Sequence, residues 1–284
     1  MMSLVNAIDL VRQADARGAA VLSFVCIDYN EARAVISAAE QTGKPAIIML
    51  LPEYVTKYSL NGFGEFAAMV RFMAEHTDAR IGLHLDHSYD EAEVRWAIEC
   101  GFTSVMFDAS RDDLETNIRR TRAVVDYAHA RGVAVESELG SVGLASERWG
   151  ERTDLFTKPD AAALFCRETG VDSLAVAIGN AHGDYLQTPR LDLGRLDAID
   201  AATDTPLVLH GGSGIPEDQL VEAFRRGINK FNYGTDVKRC YIRAIRDYMA
   251  KHDPPESLDV LGIPAAAQAA ITELIARKLS LSRL

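Results

Sequence analysis

Eight short runs of apolar and β-branched residues alternate with helix-forming stretches along almost the entire chain. That alternation limits the fold more tightly than any single motif. The runs span residues 20–27, 46–51, 81–85, 104–107, 133–138, 173–178, 207–209 and 230–232. Between and after them, residues 31–41, 65–76, 91–100, 112–131, 159–169, 193–201, 216–226 and 235–251 carry helical periodicity or composition. Gly43, Gly101 and Gly170 stand between a helical stretch and the next run, where a helix end calls for a residue tolerant of positive φ. Continuously apolar strands joined by helices form a parallel sheet covered on both faces. Eight such units in one uninterrupted chain close as a single (β/α)8 TIM barrel, expected here to be one domain over residues 1–284. A further stretch, 265–279, adds a C-terminal helix in which Ile271, Leu274, Ile275 and Lys278 share a face.

The chain's composition excludes several classes of partner. It has 284 residues, 48% of them hydrophobic, which is ample for a large core, and a formal net charge of -11. That charge repels nucleic acid and anionic membranes, so neither is an expected partner. The N-terminal stretch is amphipathic, with Val5, Ile8 and Val11 at helical spacing, and reads as neither a secretory leader nor a membrane span. Cys26, Cys100, Cys166 and Cys240 lie far apart without a C-x-x-C pair, which points to reduced thiols, no disulfide and a cytoplasmic location.

In such a barrel the chemistry gathers at the C-terminal ends of the strands. Asp86 and His87 follow the third run, Asp108 the fourth, Glu136 and Glu138 end the fifth, His182 follows the sixth, His210 closes the seventh and Asn232 ends the eighth. Four of the seven histidines, His84, His87, His182 and His210, thus fall at one rim. His84 and Asp86 alternate onto one face of a strand and His87 onto the other, unless the chain turns near Asp86 and re-aims His87 inward. Three imidazoles with an open position suit a catalytic zinc, and a carboxylate beside it such as Asp86 suits proton transfer. A single histidine at a barrel end is more often hydrogen-bonded structure than a ligand, so the argument rests on the convergence. Gly211, Gly212, Ser213 and Gly214 after the seventh run, with Thr235 after the eighth, form either tight turns and a helix cap or the phosphate cradle common at this place in barrels.

Taken in order, residues 83–87 (LHLDH), 101–108 (GFTSVMFD), 135–140 (VESELG), 175–183 (AVAIGNAHG), 207–214 (LVLHGGSG) and 228–232 (INKFN) resemble the class II, zinc-dependent ketose-bisphosphate aldolases, in particular the fructose-bisphosphate and tagatose-bisphosphate branch. The resemblance implies reversible cleavage of a ketose phosphate, or a related ketose, to dihydroxyacetone phosphate and an aldehyde. It implies His87, His182 and His210 as zinc ligands, with Glu138 able to join them. Asp86 matches the group that takes the C4 hydroxyl proton, and Asn232 helps steady the charge on the dihydroxyacetone phosphate half. Gly183, Gly211, Ser213 and Thr235 match phosphate contacts, near which a monovalent cation is common. Relatives form homodimers or homotetramers, so a homo-oligomer is expected.

Several positions depart from the family pattern. Leu51-Pro52-Glu53 stands where a Ser-Pro-Gly is usual, and the loop 143–147 carries Leu144 at a usual glycine. Its nearest carboxylate, Glu147, is displaced by one residue and is the candidate for proton transfer at carbon. Asn180 replaces a usual threonine, and Gly234 a usual alanine or aspartate. Two other readings follow from the same residues: a zinc hydrolase on the same barrel, although the first strand lacks a histidine pair, and a sugar-phosphate-binding relative that has lost the proton shuttle. Trp96 and Trp149 read as packing or loop cover. Arg111, Arg148, Arg152 and Arg190 are candidates for a second phosphate or carboxylate, each weighed against an ordinary surface charge.

Overall fold

The computed structural model describes residues 4–58, 62–140, 142, 155–183, 185, 187–252 and 260–284. Eight parallel strands close in sequence order, β8 pairing back onto β1, so the ring has no free edge. The strands are β1 (Val21–Val25), β2 (Ala46–Leu50), β3 (Ile81–Ser88), β4 (Ser104–Phe107), β5 (Ala134–Leu139), β6 (Ser173–Val176), β7 (Leu207–Leu209) and β8 (Ile228–Tyr233). Nearly every strand residue is buried, because one face fills the barrel and the other lies beneath the helices.

The helices are α1 (Ala7–Asp15), α2 (Tyr29–Thr42), α3 (Pro52–Tyr58), α4 (Phe63–Glu75), α5 (Glu91–Cys100), α6 (Leu114–His129), α7 (Pro159–Thr169), α8 (Leu193–Asp200), α9 (Glu217–Arg225), α10 (Thr235–His252) and α11 (Gly262–Ser280). Side chains set several boundaries. Asp28 accepts hydrogen bonds from the N–H groups of Asn30 and Glu31 to start α2, and Gly43 at φ 64° ends it. The helix α3 was not legible as periodicity, since it is only seven residues long. Pro52 at its first position, with a preset φ and no N–H to satisfy, accounts for where it begins.

The C-terminal helix α11 packs onto α2 and α10. Ile271, Ile275 and Lys278 face inward as their spacing predicts, whereas Leu274 stays half-buried and Leu279 takes its place in the core. No helix among the described residues is long and apolar enough to cross a membrane.

The strand β3 runs three residues further than its apolar stretch. Its pairing with β4 slips between Leu85 and Ser88, and His87 within that bulge has φ 48°. A non-glycine residue in the left-handed region costs on the order of 1–3 kcal/mol, retained where the surroundings over-determine it. The strand therefore does not end at Asp86. The bulge re-aims His87 toward the barrel axis while pairing continues to Ser88.

A cluster of histidines at the barrel mouth

Three imidazoles meet at the C-terminal ends of β3, β6 and β7. His87 Nε2 lies 3.2 Å from His182 Nε2 and 2.7 Å from His210 Nδ1. Nitrogen ligands about 2.0–2.1 Å from a tetrahedral ion stand roughly 3.4 Å from one another. The cluster is tighter than that, and a small expansion brings it to a ligand set. Two outer carboxylates fix the rings: His87 Nδ1 faces Asp108 Oδ2 at 3.1 Å, and His210 Nε2 faces Glu136 Oε1 at 2.8 Å. With Nε2–H of His210 donated to Glu136, its Nδ1 lone pair is left for the cluster. Below them Lys230 Nζ lies 2.9 Å from Glu136 Oε2, and all three members of this stack are buried.

His87, Asp108 and Glu138 form a second overlapping group with ligand atoms within 4.8 Å of one another. Glu138 receives hydrogen bonds at Oε1 from the Ser110 hydroxyl (3.3 Å) and the Val142 N–H (3.4 Å), while its buried Oε2 has no partner among the described residues. An orphaned carboxylate oxygen beside three converging imidazoles fits a divalent cation.

The charges agree with that fit. Burial pushes Glu138 up to about 8, with Asp108 adding to the effect. Burial likewise pushes His182 down to about 3, reinforced by His87 and His210, so it presents a lone pair at neutral pH. Burial would also lower His87, but Asp86, then the Asp108 hydrogen bond, outweighs it and holds the imidazole at about 9. Burial opposes ionisation of Asp86, yet His87, His210 and Lys230 together keep it below the usual carboxylate range.

Asp86 Oδ1 accepts a hydrogen bond from Asn232 Nδ2 at 3.1 Å and lies 4.0 Å from His87 Nε2. Asn232 Oδ1 is buried without a partner among the described residues. Asp86, His87, Asp108, Glu138, His182 and Asn232 line a cavity of about 810 Å³ that also reaches Gly183, Gly211, Gly212, Ser213 and Thr235. Gly211 sits at φ 67°, and a Cβ there would meet Ala181 O at 2.1 Å; at Gly212 it would meet the Phe231 ring at 1.6 Å. The loop after β7 thus lies flat against the loop after β6 and against β8, with its backbone at the cavity. Ser213 Oγ accepts the N–H of Asp236 at 3.0 Å at the start of α10, leaving its own hydroxyl proton free to donate. Tyr185 adds a brace absent from the sequence reading, accepting from Ala181 N at 2.7 Å and donating to Gly211 O at 2.8 Å.

His84 does not join the ring. It is wholly buried lower in the barrel, hydrogen-bonded to the Ser104 hydroxyl, with Nε2 4.0 Å from Glu136. Burial lowers it to about 3, with Lys230 adding to the effect. Glu147, Leu144, Arg148, Trp149 and Arg152 lie outside the described residues. Arg190 lines a separate groove with Leu191 and Phe156, Trp96 packs on Phe63 with ring centroids 4.6 Å apart, and Arg111 lines the cavity itself. Lys230 is the interior residue that the sequence reading missed, and a lysine inside an apolar barrel strand was the available sign.

The departures at the rim have structural consequences. Leu51 and Glu53 both line the cavity, and the turn they open becomes α3, whose Tyr54 ring lies 5.0 Å from Lys238 Nζ. Asn180 donates to the carbonyls of Val176 (3.2 Å) and His210 (3.1 Å) and accepts from Ile178 N (2.8 Å), tying β6 to the ligand-bearing end of β7.

Comparison with known proteins places these features. The sequence model of the family described as fructose-bisphosphate aldolase class-II matches residues 5–283. The chain is 36% identical to a fructose-bisphosphate aldolase of Geobacillus stearothermophilus over 89% of its length and 88% of that protein's. It is 34% identical to a fructose-bisphosphate aldolase of Thermus caldophilus, over 98% and 97% respectively. Among solved structures it resembles the YdjI aldolase of Escherichia coli K12, with a TM-score of 0.86, 31% identity and coverage of 98% and 97% of the two chains.

Proposed function

Because the chain belongs to the class II fructose-bisphosphate aldolase family, metal-dependent lyases that cleave a ketose bisphosphate to dihydroxyacetone phosphate and an aldehyde, we propose which residues perform each part of that reaction. Family membership decides for aldol chemistry over the hydrolytic and non-catalytic alternatives. The observation that carries the assignment is the convergence of His87, His182 and His210 on one point, with Asp86 4.0 Å from the nearest ligand nitrogen.

His87, His182 and His210 hold the ion, and Glu138 offers its unpartnered oxygen as a further ligand. The set of three imidazoles and a carboxylate favours zinc. When bound, the metal acts as a Lewis acid that stabilises negative charge next to the ketose carbonyl. Asp86, kept ionised by its surroundings, takes the C4 hydroxyl proton. As the C3–C4 bond breaks, C4 leaves as the aldehyde and the electron pair stays on C3 of the dihydroxyacetone phosphate half. Asn232 fixes the Asp86 carboxylate through the 3.1 Å hydrogen bond. A proton must then reach C3, and Glu147 is the carboxylate assigned to that step. Gly183, Gly211, Ser213 and Thr235 receive the phosphate of the ketone half through backbone N–H and hydroxyl groups, where a monovalent cation also belongs.

The substrate is fructose 1,6-bisphosphate, tagatose 1,6-bisphosphate or a near relative. The protein acts as one domain, in a homodimer or homotetramer of the cytoplasm; the family match from residue 5 to 283 and the closed barrel support the one-domain reading. The test is zinc-dependent release of dihydroxyacetone phosphate from both bisphosphates, with Asp86→Ala as control. Cleavage that requires both metal and Asp86 is expected, and full activity of the variant would sink the assignment of the base.

A further inference from the structure

The two loops that carry most of the site are built alike. The loop after β6 brings His182 to the histidine cluster and Gly183 to the glycine-rich side of the cavity. The loop after β7 brings His210 to the same cluster and Gly211 and Ser213 to the same side. Each loop therefore serves the metal at one residue and the phosphate at the next, and slack between the loops would loosen both.

Three contacts take up that slack. The loops meet backbone to backbone, since a Cβ on Gly211 would stand 2.1 Å from Ala181 O. Asn180, wholly buried, donates from the β6 side to the His210 carbonyl at 3.1 Å. Tyr185 closes the junction: its hydroxyl accepts the Ala181 N–H at 2.7 Å and donates to Gly211 O at 2.8 Å. Its ring lies against Gly214, where an added Cβ would come within 3.2 Å of Cδ2. One phenol oxygen thus ties the residue before His182 to the residue after His210. The cavity lining includes Gly183, Gly211 and Ser213 but not Tyr185, so the phenol acts on the site from behind its wall.

A site that is not held in place must be ordered by its ligand. The apparent affinity then falls by the fraction of molecules whose loops are already in position. Where one clamp orders ligands and cradle together, removing it weakens both kinds of binding. Whichever species binds first then orders the loops for the second.

We propose that Tyr185 is a positioning residue that locks the loops after β6 and β7 into one preorganised body, so that the metal and the phosphate of the ketone half each meet a finished site. This inference rests on the assignment above of His182 and His210 to the metal and of Gly183, Gly211 and Ser213 to the phosphate. It adds the residue that keeps those two sets in register. Without the lock each ligand orders the loops for itself, and the two binding events become coupled through the protein.

The experiment compares wild-type protein with Tyr185→Phe, which removes the oxygen and keeps the ring. Zinc affinity is read by competition with a chelator, with and without glycerol 3-phosphate, a phosphate monoester that has no carbonyl to offer the metal. Glycerol 3-phosphate affinity is read by calorimetry on zinc-free and zinc-loaded protein. Loss of the two hydrogen bonds is expected to weaken zinc alone and glycerol 3-phosphate alone roughly 10-fold each. With glycerol 3-phosphate saturating, the zinc deficit relative to wild type should shrink to about twofold, and zinc should restore glycerol 3-phosphate by the same factor, as linkage requires. Direct attraction between phosphate and a divalent ion is common to both proteins and cancels in the comparison. The Tm of the metal-free protein should fall by only about 2–4 °C, which separates the lock from a general loss of folding. Unchanged affinities in Tyr185→Phe, or a zinc deficit that glycerol 3-phosphate leaves at its full size, overturns the lock. Wild-type protein that takes up no zinc, or that keeps its zinc affinity in His182→Ala, would instead overturn the site assignment beneath it.

Discussion

Replacing Lys230 by methionine tests how the barrel interior sustains the metal-binding rim. Lys230 and Glu136 have side chains only 2% and 1% exposed, with Nζ 2.9 Å from Oε2, and the other oxygen of Glu136 faces His210 at 2.8 Å. Burial alone would raise Glu136, yet Lys230 and then the His210 hydrogen bond hold it well below the usual range. Removing the ammonium leaves a buried carboxylate supported only by the His210 imidazole and by the Ser173 hydroxyl, which donates to Oε2 at 3.2 Å. Breaking a buried pair from one side costs about 3–5 kcal/mol. Unfolding entropy of about 2.1 cal/mol/K per residue gives roughly 600 cal/mol/K for a chain of this length, so the Tm should fall by about 5–8 °C. The melt should be run with a chelator present, so that lost metal binding is not counted as lost folding energy. Lys230→Met with Glu136→Gln should recover most of the loss, because no uncompensated charge then remains. A Tm within 1 °C of wild type for Lys230→Met, or no recovery in the double variant, would refute the view that this stack is held by its charges.

Other outcomes follow from the same geometry. Glu136→Gln should weaken zinc about 10- to 100-fold in a chelator competition, since it removes the carboxylate that orients His210. Asp86→Asn should keep its zinc and lose about 10²- to 10⁴-fold in kcat, because the amide accepts no proton; loss of metal instead would place Asp86 among the ligands. Buried Glu31, which accepts the Ile27 N–H, is pushed up by burial to about 7 from the ordinary carboxyl value of 4.5. A carboxyl with a raised folded pKa contributes stability that is complete below about 4.5 and is lost as pH rises through 7. Glu31→Gln should therefore be close to neutral at pH 4.5 and stabilising by about 3 kcal/mol at pH 8.5, read from denaturant midpoints. Glu53→Gln should lower KM for a bisphosphate less than about fivefold, the change shrinking as salt is added.

Much of the site could be read from the chain because strand order carries it. When each apolar run is a barrel strand, the residues just after it are neighbours whatever their separation in sequence, so His87, His182, His210, Glu138 and Asn232 fall at one rim once the strands are counted. The same logic placed His84 there too, but one layer of depth separates a ligand from a core histidine, and sequence spacing along a strand does not measure depth against the other strands. The route by which His87 turns inward was equally hidden: a bulge depends on how β3 pairs with β4, and no local propensity announces a histidine at φ 48°. Lys230 carries a local sign, a lysine inside an apolar strand, but its partner Glu136 is 94 residues away, and Tyr185 reaches across to Gly211, 26 residues on, so neither partner is given by local sequence.

The eight-unit barrel, the rim on which chemistry gathers, the three imidazoles and the glycine-rich loops are legible along the chain, because hydrophobic period and strand order are properties of the chain read in one direction. Tertiary structure alone decided which carboxylate serves which imidazole, why Glu138 retains a free oxygen, and how Leu51-Pro52-Glu53 becomes a helix that sets Tyr54 under Lys238. It also put Arg111 at the cavity and Arg190 in a separate groove. Hydrogen bonds and buried charges act over about 3–4 Å between groups brought together only when the ring closes, and that proximity is written in no stretch of sequence.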